Sequence, residues 1–113
     1  MSGYLPVFTS PQDEIETIQA YQTVVDQWRV PHTEFDMSTS FGETHVIASG
    51  PETAPPVVLL HALFAIATAW YRTVDALSQQ YRTYAVDVLG EANKSRQFPT
   101  YTFHLIDFVD PLI

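Results

Sequence analysis

Three kinds of chemistry are open to the polar residues of this chain. Ser95, His104 and Asp107 are of the types that act as nucleophile, general base and orienting acid in acyl transfer. Nothing in their spacing positions them as a set. The Gly-x-Ser-x-Gly pattern that exposes a nucleophile on a strand-to-helix turn is absent, because none of Gly3, Gly42, Gly50 and Gly90 flanks a serine in that way. His32, Glu34 and Asp36 alternate, so on a strand they would share a face that a metal could approach. No fourth ligand and no established ligand spacing accompany them, and a solvated face is the expectation. Asp13, Glu14 and Glu16 fit the first turn of a helix, where acids complement the dipole, better than an acid/base pair. His45 and His104 read as ordinary, partly buried histidines. The absence of cysteine excludes thiolate nucleophiles, disulfides and Cys-ligated zinc. No catalytic side chain, cofactor or metal is therefore expected.

Two strand ends carry more information. Val57-Val58-Leu59-Leu60 is wholly apolar, as a strand buried on both faces of a parallel sheet would be. His61 closes it, and the small and apolar residues Ala62, Leu63 and Phe64 follow. Open α/β sheets bind ligands beyond the carboxyl ends of their strands, and a backbone amide exposed there can stabilise a developing oxyanion. The stretch from Ala85 to Ser95 is again a strand end followed by a turn.

The elements that would hold these ends follow from the pattern. Residues 11–29 read as an amphipathic helix, with Ser10 as cap, Pro11 at the first position, and Ile15, Ile18, Val25 and Trp28 on one stripe that Gln22 interrupts. Pro31 ends it. Residues 33–41 form a half-buried strand, Gly42-Glu43 a turn, and Thr44 to Ala48 a second strand, which together make a hairpin. Residues 49–56 are a Pro- and Gly-bearing loop. After Val57–Leu60, residues 68–79 read as a helix presenting Trp70, Val74 and Leu77, and residues 83–88 as another strand. Strand, helix, strand is a βαβ unit. Residues 101–109 fit neither period. The chain is thus expected to be a single partial α/β domain over 1–113: an N-terminal helix (11–29), a hairpin plus βαβ core (33–96) and a divergent tail (97–113).

Composition narrows the partners. The chain has 113 residues, 46% of them hydrophobic and 13% aromatic, which is ample for one folded core. Its net charge of −8 comes without clustered Lys or Arg, so nucleic acid and anionic membrane surfaces are not expected partners. The first ten residues lack a basic segment and an apolar core, so a cytoplasmic location is expected.

The two strand ends also carry a resemblance. An apolar strand, His61 and then Trp70 is similar to the α/β-hydrolase pattern of strand, His-Gly and a spaced Trp. Asp87, Gly90 and Ser95 resemble that family's Asp-x-x-Gly-x-x-x-Ser turn. Residues 41–51 (FGETHVIASGP), 54–56 (APP), 28–31 (WRVP) and 81–87 (YRTYAVD) look like one bacterial subgroup that includes carboxylesterases of the naproxen-esterase type. The likeness covers about residues 20–96. It implies the N-terminal part of an α/β-hydrolase fold, cut before the nucleophile strand, and ester hydrolysis of a small-molecule substrate by the full-length family. It implies that the Leu63 backbone N–H is one oxyanion-hole donor, that His61 and Ala62 form the supporting loop, and that His61 is structural rather than the triad base. Ala62 stands where the family usually has Gly, and a Cβ there would cost about 1 kcal/mol if the position needs φ > 0. Arg72-Thr73 replaces a common Pro-Asn. With the nucleophile elbow, acid and catalytic His missing, this chain alone is expected to be inactive, either as a cut-down enzyme or as a non-catalytic product that acts by association. Without a nucleophile strand, Val57–Leu60 would be an exposed edge, to be covered by residues 101–109 or by self-association with a second copy.

Overall fold

A computed structural model describes residues 3–63 and 65–99. Ser10 opens α1 (Pro11–Val25): its hydroxyl accepts the Asp13 amide at 3.0 Å, and Asp13 and Glu14 occupy the first turn. The helix ends at Val25, short of residue 29. Beyond it the amides of Gln27 and Trp28 bond the carbonyls of Val24 and Val25 at 2.9 Å, winding the chain into tight turns. These turns leave the Trp28 ring buried, with Nε1 donating to Ser49 Oγ at 2.9 Å.

β1 (His32–Thr39) and β2 (Gly42–Ser49) form the expected hairpin, but its turn is Ser40–Phe41. Gly42 and Glu43 are already paired, with Thr39 and Ser38 on one side. On the other side they pair with Gln97 and Arg96 of β5 (Arg96–Gln97). Gly42 is needed for that second contact rather than for a turn. Its φ is +148°, and a Cβ would lie 2.0 Å from the Arg96 carbonyl oxygen. Gly50, just past β2, has φ +91° and would place a Cβ 2.1 Å from the Tyr81 carbonyl oxygen. Gly50→Ala is therefore expected to destabilise the fold by about 1–3 kcal/mol, read as a lower denaturant midpoint at an unchanged m-value.

β3 (Pro56–Leu60) and β4 (Arg82–Val86) are parallel neighbours, as the βαβ pattern requires. The strand order is β1-β2-β4-β3, with β5 beside β2. Between β3 and β4 the single helix expected over 68–79 is instead a 3₁₀ turn (Ala67–Trp70) and a short α2 (Thr73–Leu77). Neither has a side-chain cap, and segments this short have little stability of their own. They are held by tertiary contacts at Ala67, Thr68 and Val74, all buried.

Tyr21, Val25 and Trp28 pack with Ala67 and Val74 onto Ile47, Leu59 and Ala85 of the sheet. The opposite face gathers Val46, Val86 and Leu89, with Phe35 and Tyr84 beside them, and among the described residues no helix residue belongs to it. β3 serves both faces, Val57 and Leu59 on the first and Val58 and Leu60 on the second. That is why its sequence is apolar without alternation. Among the described residues β3 has a strand on one side only. Its suggested cover, residues 101–109, lies outside the described residues. Of the stretch expected as a divergent tail, 97–113, Gln97 sits in β5 and the Phe98 amide reaches the Phe41 carbonyl at 2.8 Å. No helix among the described residues is long and apolar enough to cross a membrane.

Candidate functional site

β3 and β4 end side by side because they are parallel and in register, Leu60 opposite Val86. The loops that leave them therefore meet. Two buried side chains tie these loops together. His61 at the end of β3 accepts the Val88 amide at Nε2, 3.0 Å away, and donates from Nδ1 to the Ala62 carbonyl at 2.9 Å. The Nε2 lone pair is thus occupied by a backbone donor. Glu91 Oε2 lies 3.8 Å from the same Nδ1.

Asp87, fully buried, is the second tie. One carboxylate oxygen accepts the Ala67 amide at 2.8 Å and the other the Lys94 amide at 3.1 Å. Burial raises its pKa, an effect opposed by the Ala67 amide, by the Tyr21 hydroxyl and by the Lys94 amide. The Tyr21 hydroxyl acts on Asp87 at close range, although its geometry falls short of a regular hydrogen bond. β4 ends at Val86 rather than at Val88: the Asp87 amide still bonds the His45 carbonyl at 3.0 Å, but the His45 amide goes to the Ser95 hydroxyl instead of the Asp87 carbonyl.

Asn93 and Ser95 complete the turn. Asn93 Nδ2 donates to the Val88 carbonyl at 2.8 Å, and its Oδ1 accepts the Ser95 amide at 2.8 Å. The Ser95 hydroxyl donates to the Asp87 carbonyl and accepts the His45 amide at 2.8 Å. Buried and doubly committed, Ser95 is not placed as a nucleophile. His104 and Asp107, its sequence partners, lie outside the described residues.

In front of the ties, Ala62 and Leu63 are exposed, Leu63 at 72%. The Ala62 carbonyl takes the Ala65 amide at 3.0 Å and curls the loop. Among the described residues the Leu63 amide has no hydrogen-bond acceptor. A cleft of about 460 Å³ opens here, walled by Leu63, Ala65 and Ile66 on one side and by Gly90, Glu91 and Ala92 on the other. Such a place can hold a small, mainly apolar molecule and offer an amide to a developing negative charge.

The sequence reading missed one cluster. Glu34 and Asp36 do not face solvent alone. His45 Nδ1 lies 2.6 Å from Asp36 Oδ1 and its Nε2 lies 2.8 Å from Glu34 Oε1. Lys94 Nζ reaches the same Glu34 oxygen at 3.0 Å, and Gln22 at 3.1 Å, above the Tyr21 ring. His32 is elsewhere, its Nδ1 at the Val30 carbonyl. Among the described residues no group of three acidic or His side chains is arranged for a metal. Burial pushes the Glu34 carboxyl up, but the bonds from His45 and Lys94 outweigh it, and its pKa is lowered. A lowered carboxyl stabilises the fold above the ordinary carboxylate range and loses that contribution as pH falls through its folded value. Glu34→Gln is accordingly expected to melt with a shallower acid dependence than the parent between about pH 5 and pH 3. Parallel melting curves at each pH would contradict this.

No protein-family model matches the sequence. Over 81 residues, 72% of this chain, it is 51% identical to the carboxylesterase nap of Bacillus subtilis, and it covers 27% of that protein. It is 42% identical over 88 residues to the carboxylesterase YbfK of the same organism, covering 30% of it. The chain thus spans less than a third of these curated relatives. Among solved structures, naproxen esterase (carboxylesterase NP) from Bacillus subtilis superposes with a TM-score of 0.76 at 44% identity, over 91% of this chain and 38% of that one. Carboxylesterase CesB (YbfK) superposes at 0.78 and 38% identity, over 88% and 37%.

Proposed function

We infer that this chain, which belongs to the α/β-hydrolase superfamily and within it to the carboxylesterase subgroup of naproxen-esterase type, supplies the oxyanion loop of an ester-hydrolysing site. The observation that carries this reading is the Leu63 amide. It stands without an acceptor among the described residues, beyond the carboxyl end of β3, on the rim of the cleft. The substrate is a small-molecule ester. In the complete reaction a serine attacks the ester carbonyl, a histidine takes the serine proton, and the tetrahedral oxyanion is held by backbone amides. Of these parts the Leu63 N–H is present here. His61 acts through the backbone: by holding Val88 and Ala62 it fixes where Leu63 stands. Nothing in the described residues supplies the serine.

The chain by itself is therefore expected to leave p-nitrophenyl butyrate to its background hydrolysis. A saturable rate that persists through purification, and that one Ser→Ala replacement abolishes, would sink this reading.

That β3 has a strand on one side only among the described residues favours a second reading, association of copies through the Val57–Leu60 edge. Sedimentation velocity over a concentration series of the whole chain tests it. A mass that grows with concentration supports association, and a monomer throughout excludes it.

A further inference from the structure

We propose that the N-terminal strap, residues 4–8, is a fixed wall of this cleft, and that Val7 selects for an uncharged, apolar group on the ester. This proposal rests on the reading of the cleft given above.

The strap precedes α1 and would be free to move if nothing held it. Three contacts hold it. The Leu5 amide donates to the Gln97 carbonyl at 2.7 Å, which ties the strap to β5. The Tyr4 ring stacks on Phe98, centroids 5.6 Å apart and planes within 6°. The Arg96 guanidinium lies over the Phe8 ring at 5.6 Å. Arg96 is itself fixed: it donates to the carbonyls of Asn93 and Ser95 at 2.6 and 3.0 Å, and it meets Glu14 of α1 at 2.9 Å. The strap is thus fastened to β5 and Phe98 and, through Arg96, to the turn over residues 87–95 that forms one side of the cleft.

Between these anchors Val7 reaches the cleft and joins Leu63, Ile66 and Ala92 in lining it. Their side chains are apolar, and the charge among the lining residues is the Glu91 carboxylate. An apolar acyl or alcohol group gains burial against Val7, about fourfold in affinity for each methylene removed from water. A carboxylate-bearing ester meets a like charge at Glu91.

The test uses the whole chain, isotopically labelled, with ethyl butyrate as the probe and monoethyl succinate as its charged counterpart. Ethyl butyrate is expected to shift the Val7 methyl signals together with the amides of Leu63, Ile66 and Ala92, and to bind at least about fivefold more tightly than monoethyl succinate. Val7→Trp fills the space and should weaken ethyl butyrate binding about tenfold. Val7→Ala, which opens the wall without crowding it, should weaken it by about threefold, roughly the loss of one or two methyl contacts. Shifts at Leu63, Ile66 and Ala92 with an unmoved Val7 and unchanged affinity in Val7→Ala would overturn the strap while leaving the cleft. Equal binding of the two esters would overturn the selection against charge. Silence at every cleft position would overturn the cleft reading and the strap with it.

Discussion

Asp87→Ala is expected to destabilise the protein by about 3 kcal/mol or more. The substitution leaves the buried Ala67 amide and the part-buried Lys94 amide without an acceptor. Each stranded donor costs about 1–3 kcal/mol, and relief from burying a carboxylate offsets part of the sum. A small domain has about 5–15 kcal/mol in all, so the loss should show in both thermal and denaturant unfolding. Asp87→Asn keeps one acceptor oxygen and turns an NH₂ towards the second donor, so it should fall between parent and Ala. The two variants also separate charge from geometry. Burial raises the Asp87 pKa, so the folded state holds that proton more tightly than the unfolded chain does. The contribution is present below the ordinary carboxylate range and is lost as pH rises through the folded value. Asp87→Asn has no such proton, and its stability should not carry that decline. An Asp87→Ala protein that unfolds within about 0.5 kcal/mol of the parent would contradict the role given to this side chain.

Trp28→Ala should cost about 3–5 kcal/mol, the range for removing a large buried aromatic. Trp28 joins the end of α1 to β2, and its loss leaves a cavity among Val25, Ile47 and their neighbours. It also removes the hydrogen bond to Ser49 Oγ. Trp28→Phe keeps much of the volume and gives up that bond, so it should lose markedly less. Urea titration followed by far-ultraviolet circular dichroism distinguishes them. A Trp28→Ala midpoint close to that of the parent would mean that α1 is held by something other than this ring.

Both residues stood out in the sequence, for different reasons. Trp28 fell on the apolar stripe of a helix, and its burial follows the stripe even though the helix stops at Val25. A spacing rule cannot see that stop, because 3₁₀ winding and α winding both keep every third or fourth residue on one face. Asp87 was legible as a strand end. What it does there was not, since its partners, the Ala67 and Lys94 amides, are backbone groups that any residue would offer. β3 was the most legible element, because four apolar residues without alternation fit a strand covered on both faces.

The His45 cluster shows how a local error propagates. A turn at Gly42-Glu43 would set His45 opposite Ser40. The observed turn at Ser40–Phe41 sets it opposite Asp36, with Glu34 two residues further along the same face. Gly42 drew the turn to itself because glycine marks turns, whereas here it lets β5 approach. Lys94 could not have been added to the cluster from sequence, since only the fold brings it across to β1. The site loop lies between these cases. His61 and Leu63 were marked by a family pattern, while the bond from the Val88 amide to His61, which positions the loop, is a long-range contact that no spacing reveals.

The role of Leu63 can be measured where a nucleophile is available. Residues 3–96 of this chain would replace the matching segment of naproxen esterase from Bacillus subtilis, and ester hydrolysis by the chimera would be followed. Turnover is expected, and Leu63→Pro, which deletes the amide hydrogen, should lower kcat by about 10²–10³. Leu63→Ala, which keeps the amide, should retain most of it. A chimera in which Leu63→Pro turns over within about twofold of its parent, about 0.4 kcal/mol, would contradict the assignment of the Leu63 amide to the oxyanion.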